Sequence, residues 1–248
     1  MPDIVSRSSN IFRFKQFAVA NTESAQKVGT DGVIVGAVAS APLPREIWDV
    51  GAGTGLIALM LAQRYTEAMI TAIELEPIAA TECRGNVKAS PWHDRITVVE
   101  GNINDVAELL KFPDMIVSNP PFFINGGENR DGRRSMARHD GSLSPITLLS
   151  LAHKYLAYEG RLVFIAPYDR NDSIIFFSEL HRMVPVEVLD VAARDDKEPK
   201  RRIWTMMRKE EAPNIKLVSR RIDIRSSSAG FPFTEGYKIL TKDFYLDF

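Results

Sequence analysis

The chain has 248 residues, 45% of them hydrophobic, which is enough for one large domain with a complete core but leaves no room for a separate recognition domain of ordinary size. With 31 Lys and Arg against 32 Asp and Glu the formal net charge is −1, so no global field draws in a polyanion and any nucleic acid must be met by local basic patches. The one cysteine, Cys83, excludes an internal disulfide and a cysteine-cluster zinc site, and the histidines show no ligand spacing, so no metal is expected.

Residues 1–14 lack the apolar core of a signal peptide, and the run 32–44 is too short and too rich in Gly and Ala to span a bilayer. A cytoplasmic protein without membrane contact is expected. Residues 12–17 alternate like a strand and 31–40 read as a small-residue helix; together they form a lid within 1–46. A strand at 47–50 then runs into Gly51-Ala52-Gly53-Thr54-Gly55, followed by a helix from Leu56. Strand, glycine turn and helix start make the nucleotide-binding corner of a doubly wound sheet, where a ligand approaches the main chain more closely than a Cβ would allow. The third glycine comes one residue too early for a dinucleotide fingerprint, which needs it where Leu56 stands. With Asp49 ahead of it, the turn resembles the S-adenosylmethionine loop of class I methyltransferases, a resemblance that places Asp49, Gly51, Gly53 and Gly55 against the cofactor.

The next strand, 70–73, ends in Glu74, where an acid is due to accept hydrogen bonds from a cofactor ribose. Glu76, just before Pro77, reads as a helix-start charge. A third strand, 96–99, leads to Asn102, where methyltransferases of this type usually carry an acid for the adenine amino group; Asn can serve through its carbonyl oxygen, or donate its amide N–H to a ring nitrogen.

The apolar strand 115–117 is followed by Asn119-Pro120-Pro121-Phe122. An exocyclic amine or amide shares its lone pair with a π-system and attacks an electrophile poorly until its N–H groups are held. The side-chain oxygen of Asn119 and the carbonyl of Pro120 supply two acceptors, Phe122 a stacking plate, and the prolines preset the geometry. Adenine N6, cytosine N4, guanine N2 and a glutamine amide all pose this problem, so the chemistry is clearer than the substrate. The loop that follows carries Arg130, Arg133, Arg134, Arg138 and His139, a set suited to phosphates flanking an unstacked base. A second basic patch, Lys200, Arg201 and Arg202, extends that track.

The remaining pattern is a helix at 145–157, a strand at 160–166, a helix at 173–182, and strands at 186–192 and 202–207 paired antiparallel. The expected fold is α/β: a doubly wound, seven-stranded, Rossmann-like class I methyltransferase sheet. Its core spans 47–210, and an extension, 211–248, packs on the core and the lid.

Six blocks together resemble the bacterial tRNA(Val) adenine-N6-methyltransferases: Lys27-Val28-Gly29-Thr30-Asp31-Gly32, the glycine loop after Asp49, the segment 72–77 around Glu74, the Asn-Pro-Pro-Phe motif, Ala137-Arg138-His139, and the tail 240–246. The resemblance covers almost the full length. It implies methyl transfer from S-adenosylmethionine to N6 of the adenine 3′ of the anticodon in a valine tRNA, without metal, by a cytoplasmic enzyme. It also implies that Gly29, Thr30 and Asp31 close the cofactor pocket. A monomer acting on tRNA and not on DNA is expected. The alternatives are a glutamine-amide methyltransferase, whose motif usually carries Tyr where Phe122 stands, a nonenzymatic RNA-binding module, and an NAD-dependent oxidoreductase.

Overall fold

The computed structural model describes residues 11–21, 28–121 and 143–248. Its centre is a sheet of β3 (Glu46–Val50), β4 (Met69–Glu74), β5 (Ile96–Glu100), β6 (Met115–Ser118), β7 (Arg161–Pro167), β8 (Met183–Arg194), β9 (Arg201–Arg208) and β10 (Val218–Arg225), ordered 10-8-9-7-6-3-4-5. Only β9 runs against its neighbours. The middle strands are mostly apolar, with Asp49 and Ser118 as buried polar exceptions, because both faces are covered. Ile47, Val117, Val163 and Ile165 face one layer, and Trp48, Ile116, Leu162 and Phe164 the other. The first layer holds α2 (Leu56–Arg64) and α3 (Pro77–Lys88); the second holds α4 (Ile103–Val106), α5 (Pro145–Tyr155) and α6 (Asn171–Leu180).

The seven expected strands are present, and the tail adds an eighth. β10 pairs in parallel with β8 and is exposed through most of its length. Its charged sequence conceals it, since an edge strand buries little and uses charge to discourage further pairing. β8 also starts earlier than its sequence suggests: Pro185 is accommodated at an irregularity between Pro185 and Glu187.

Ahead of the core, β1 (Ile11–Arg13) and β2 (Ala18–Ala20) form an antiparallel hairpin, and α1 (Thr30–Val38) lies against α2. The two helices meet so closely at Gly36 that a Cβ there would come within 2.6 Å of Met60 Sδ. The Arg64 guanidinium donates to the Gly36 and Ala39 carbonyls at 2.9 and 2.7 Å, closing the C-terminal end of α1. The tail, with α7 (Glu235–Thr241), packs on this hairpin: Lys15 N–H donates to the Phe244 carbonyl at 2.8 Å, and the rings of Phe14 and Tyr245 stack at 5.9 Å.

Two glycine substitutions test this packing. Gly36→Val is expected to lose about 1–3 kcal/mol through overpacking at the α1–α2 crossing. Gly85→Ala, on the exposed side of α3 with open space around it, is expected to gain about 0.5–1 kcal/mol. Urea melts of both variants measure the difference, and equal effects would refute the close crossing.

Candidate active site

The strand order reverses between β3 and β6, and in open α/β sheets the crevice at such a point, outside the carboxyl ends of the strands, is where ligands bind. The two chains separate there, β3 into the glycine loop and β6 into Asn119-Pro120. Ser118, fully buried, continues the pairing where the main-chain ladder stops: its hydroxyl donates to the Val50 carbonyl at 2.7 Å. A cavity of about 450 Å³ opens above this junction. Its walls are the first turn of α1 from Gly29 to Gly32, the loop Gly51 to Thr54, and Asn119 with Pro120.

Gly51, Gly53 and Gly55 have φ of 73°, 55° and 85°, a region other residues rarely adopt. Side chains would also collide, since a Cβ on Gly51 would lie 2.6 Å from Leu143 and one on Gly55 2.7 Å from Cys83 Sγ. The result is a bare main-chain cradle. The Gly53 N–H donates to Glu74 Oε2 at 2.7 Å and the Glu76 N–H to Glu74 Oε1 at 2.8 Å. Each Glu74 oxygen keeps acceptor capacity, so the carboxylate can still receive ribose hydroxyls. Glu74 stands beside the loop without lining the cavity; a glycine-rich loop, a cavity of nucleoside size and this acid with spare lone pairs fit the adenosyl part of S-adenosylmethionine.

Asp49 serves this loop from below. It is fully buried and does not line the cavity; Oδ2 accepts the Ala58 N–H in the first turn of α2 at 2.9 Å, while Oδ1 has no partner among the described residues. Burial pushes its carboxyl up from 3.8 to about 7, the Ala58 N–H opposes the rise, and Glu74 adds to it. The sequence reading placed Asp49 against the cofactor; the structure makes it a support for the helix behind the loop. Asn102 is likewise occupied: it caps α4, its side-chain oxygen accepting the Asn104 N–H at 3.0 Å, and it does not line the cavity. Glu76 is the expected helix-start charge, accepting the N–H groups of Ile78 and Ala79 at 3.1 and 2.6 Å.

Gly29, Thr30 and Asp31 line the cavity, and Asp31 accepts from Arg201 Nε at 3.0 Å, which ties the α1 wall to the rim of the sheet. Arg202 points away from Arg201, because neighbouring residues on a strand face opposite sides. It pairs with Asp190 at 2.5 and 3.0 Å and covers the rings of Tyr168 and Trp204 at 4.7 and 5.3 Å. The expected patch of Lys200, Arg201 and Arg202 is therefore not one surface, and Arg202 is committed within the fold; Lys200 is exposed. Asn119 is half-buried, Pro120 buried and Pro121 exposed. Neither the Asn119 amide nor the Pro120 carbonyl is taken up by a hydrogen bond within the described residues. Phe122, Arg130, Arg133, Arg134, Arg138 and His139 lie outside the described residues.

Two contributors escape sequence reading. One is Ser118. The other is Asn86, a buried amide on α3 whose Nδ2 donates to the Thr54 carbonyl at 2.9 Å. Its sequence signal is an Asn within the apolar stripe of Ala79, Ala80, Cys83 and Val87.

A parallel sheet whose strand order switches direction between β3 and β6, a glycine loop at positive φ, and an amide unpaired among the described residues across the same cavity define a class I, S-adenosylmethionine-dependent methyltransferase. Comparison with known proteins agrees: residues 29–171 match the methyltransferase small domain family. A Porphyromonas gingivalis protein named tRNA1(Val) (adenine(37)-N6)-methyltransferase is 43% identical over 78% of this chain and 79% of its own. Proteins of that name from Aeromonas hydrophila and Bacteroides thetaiotaomicron are each 38% identical over 95% of this chain and 97% of theirs. The chain belongs to this family of tRNA1(Val) (adenine(37)-N6)-methyltransferases. Among solved structures, a protein described as a predicted O-methyltransferase from Agrobacterium tumefaciens shares the fold with a TM-score of 0.65 at 18% identity, covering 86% of this chain and 96% of that one. M. jannaschii TYW2, solved in complex with AdoMet, shares it with a TM-score of 0.52 at 15% identity, covering 81% and 86%.

Ser118→Ala is expected to lose about 1–3 kcal/mol in a denaturant melt, the cost of leaving the buried Val50 carbonyl without a donor. Asp49 carries a pH signature. Its carboxyl binds a proton more tightly folded than unfolded, so its contribution is full below about pH 4, declines up to about pH 7 and is level above. Asp49→Asn removes this slope. The melting temperature of the variant is expected to gain on that of the wild type between those limits; a constant difference across the range would contradict the raised carboxyl.

Proposed function

We propose that this protein transfers a methyl group from S-adenosylmethionine to N6 of the adenine 3′ of the anticodon in a valine tRNA. The observation that carries this reading is the shared cavity: the glycine cradle and the unpaired acceptors of Asn119 and Pro120 are two walls of one space. The names of relatives that match nearly the whole chain support the tRNA substrate and the position.

When bound, the cofactor supplies an electrophilic methyl group on a sulfonium. The chain's part is to make the acceptor nitrogen reactive. Asn119 Oδ1 and the Pro120 carbonyl each accept one N–H of the amine, which draws its lone pair out of conjugation with the ring. Phe122 is assigned the stacking face for a base that has left the anticodon-loop stack. No strong base is needed, since the product nitrogen is cationic and loses its proton to water; positioning supplies most of the rate. Gly51, Gly53 and Gly55 hold the cofactor with their main chain, Glu74 accepts from its ribose, and Gly29, Thr30 and Asp31 close it in. Asn102, through its free amide N–H groups, is assigned to the adenine. Phosphates fall to Arg130, Arg133, Arg134, Arg138 and His139, with Lys200 and Arg201 beside them.

We further propose a monomer, since one chain supplies every wall of the cavity, working in the cytoplasm, where tRNA is modified. No helix among the described residues is long and apolar enough to cross a membrane. DNA is not a substrate in this reading.

Incubation with labelled S-adenosylmethionine and total tRNA from a strain lacking the enzyme, followed by digestion, is expected to yield N6-methyladenosine in one valine tRNA. Label in protein or in a DNA control would overturn the assignment. Asn119→Ala is expected to lower turnover by about two orders of magnitude while cofactor affinity measured by calorimetry stays within a few-fold.

A further inference from the structure

Asn86 is 4% exposed and does not line the cavity, so it cannot touch a bound cofactor. Its side chain nevertheless joins three main-chain groups from two separate parts of the fold. Nδ2 donates to the Thr54 carbonyl in the glycine loop and to the Ala20 carbonyl in β2, each at 2.9 Å. Oδ1 accepts the Ala20 N–H at 2.8 Å. Both polar groups of Ala20 are thus held by one amide, which acts as a short extra strand beside the hairpin while its remaining N–H fixes the loop.

On the opposite side the loop is anchored to β4, where the Gly51 and Ala52 N–H groups donate to the Ile73 carbonyl at 2.9 and 3.1 Å and the Gly53 N–H to Glu74, while the Gly55 N–H closes a turn within the loop on the Ala52 carbonyl at 2.9 Å. Asn86 and Glu74 therefore grip adjacent residues, one through a carbonyl and the other through an N–H. With three consecutive odd-numbered glycines at positive φ, the loop has little conformational preference of its own, and outside anchors must set the orientation of its peptide groups.

We propose that Asn86 is a positioning residue for S-adenosylmethionine: it holds the Thr54 peptide in its cofactor-binding orientation and makes that orientation depend on docking of the N-terminal hairpin. This rests on the cofactor assignment above. The hairpin then acts as more than a cover, because the contact that seats it also shapes the cradle. By linkage, filling the cradle stabilises hairpin docking to the same extent that docking favours filling.

The test uses the full chain with S-adenosylmethionine and S-adenosylhomocysteine as probes, Asn86→Ala and Asn86→Asp as variants, and wild type alongside. Asn86→Asp keeps the size and the acceptor for Ala20 but replaces two donors with an oxygen facing two carbonyls. Both variants are expected to bind cofactor about tenfold or more weakly by calorimetry, the scale of a lost buried hydrogen bond. KM for S-adenosylmethionine should rise by more than kcat falls, whereas a purely structural role would lower the folded fraction and leave KM unchanged. In wild type, saturation with S-adenosylhomocysteine should slow hydrogen exchange of the Ala20 amide, and this protection should be lost in Asn86→Ala. Wild-type affinity in folded variants, or wild-type protein that binds cofactor without protecting Ala20, overturns the proposal; the second result needs no variant to fold. Failure of wild type itself to bind cofactor would instead overturn the methyltransferase reading.

Discussion

The site exists because two adjacent parallel strands part company. β3 and β6 are paired through Asp49 and Val117, and one residue later their chains turn to opposite sides of the sheet. Such a parting opens a crevice and at the same moment strands the backbone groups at its base, which buried main chain cannot leave unmade at low cost. Ser118 resolves the conflict by giving its hydroxyl to Val50, so the ladder is extended by a side chain where the main chain has left it. Asn119 follows immediately on one arm and Gly51 on the other. The spacing of Asn119 and the glycine loop across the cavity is therefore set by a hydrogen bond between the residues directly before them.

Above that junction the glycine loop is held by groups from three elements. Asp49 on β3 fixes the start of α2, Glu74 on β4 fixes the Gly53 N–H, and Asn86 on α3 fixes the Thr54 carbonyl. A loop with glycine at every second position has few side chains with which to pack itself into place, so its shape is borrowed from its neighbours. This explains why polar residues are buried next to an apolar layer. Asp49 shows the cost of the arrangement: one oxygen is paired, the other is not, and the carboxyl accommodates by holding its proton to about pH 7.

The parts legible in sequence were those whose meaning is local. Gly51 to Gly55 specify a backbone shape within a few residues, and Glu74 is fixed by its place at a strand end. Glu76 before Pro77 announces a helix start. By contrast, Asn86 meets Ala20 across 66 positions, Ser118 meets Val50 across 68, and Arg201 meets Asp31 across 170. Nothing near Asn86 or Ser118 signals the carbonyl each is to satisfy; only the placement of a polar residue in an apolar pattern hints that a partner exists. The basic patch at Lys200 to Arg202 misled for a different reason. Proximity along a strand divides residues between its two sides, and the side chains part accordingly.

That division bears on how RNA is held. Among the described residues, several arginines of β8, β9 and β10 are already matched: Arg201 with Asp31, Arg202 with Asp190, Arg194 with Asp196 and Arg221 with Asp223. A phosphate arriving at such a pair must displace a carboxylate before it gains a contact, so the exchange yields far less than binding to an unpaired cation. With a net charge of −1 there is no compensating long-range attraction. Such pairs grip a single phosphate weakly, and only a backbone that brings several phosphates to several pairs at once recovers the displaced interactions. Of these pairs Arg201–Asp31 is distinctive, since Asp31 also lines the cavity. Opening that pair would free a carboxylate on the cavity wall, so the rim of the sheet and the cavity are joined through one ion pair rather than through a gap of solvent.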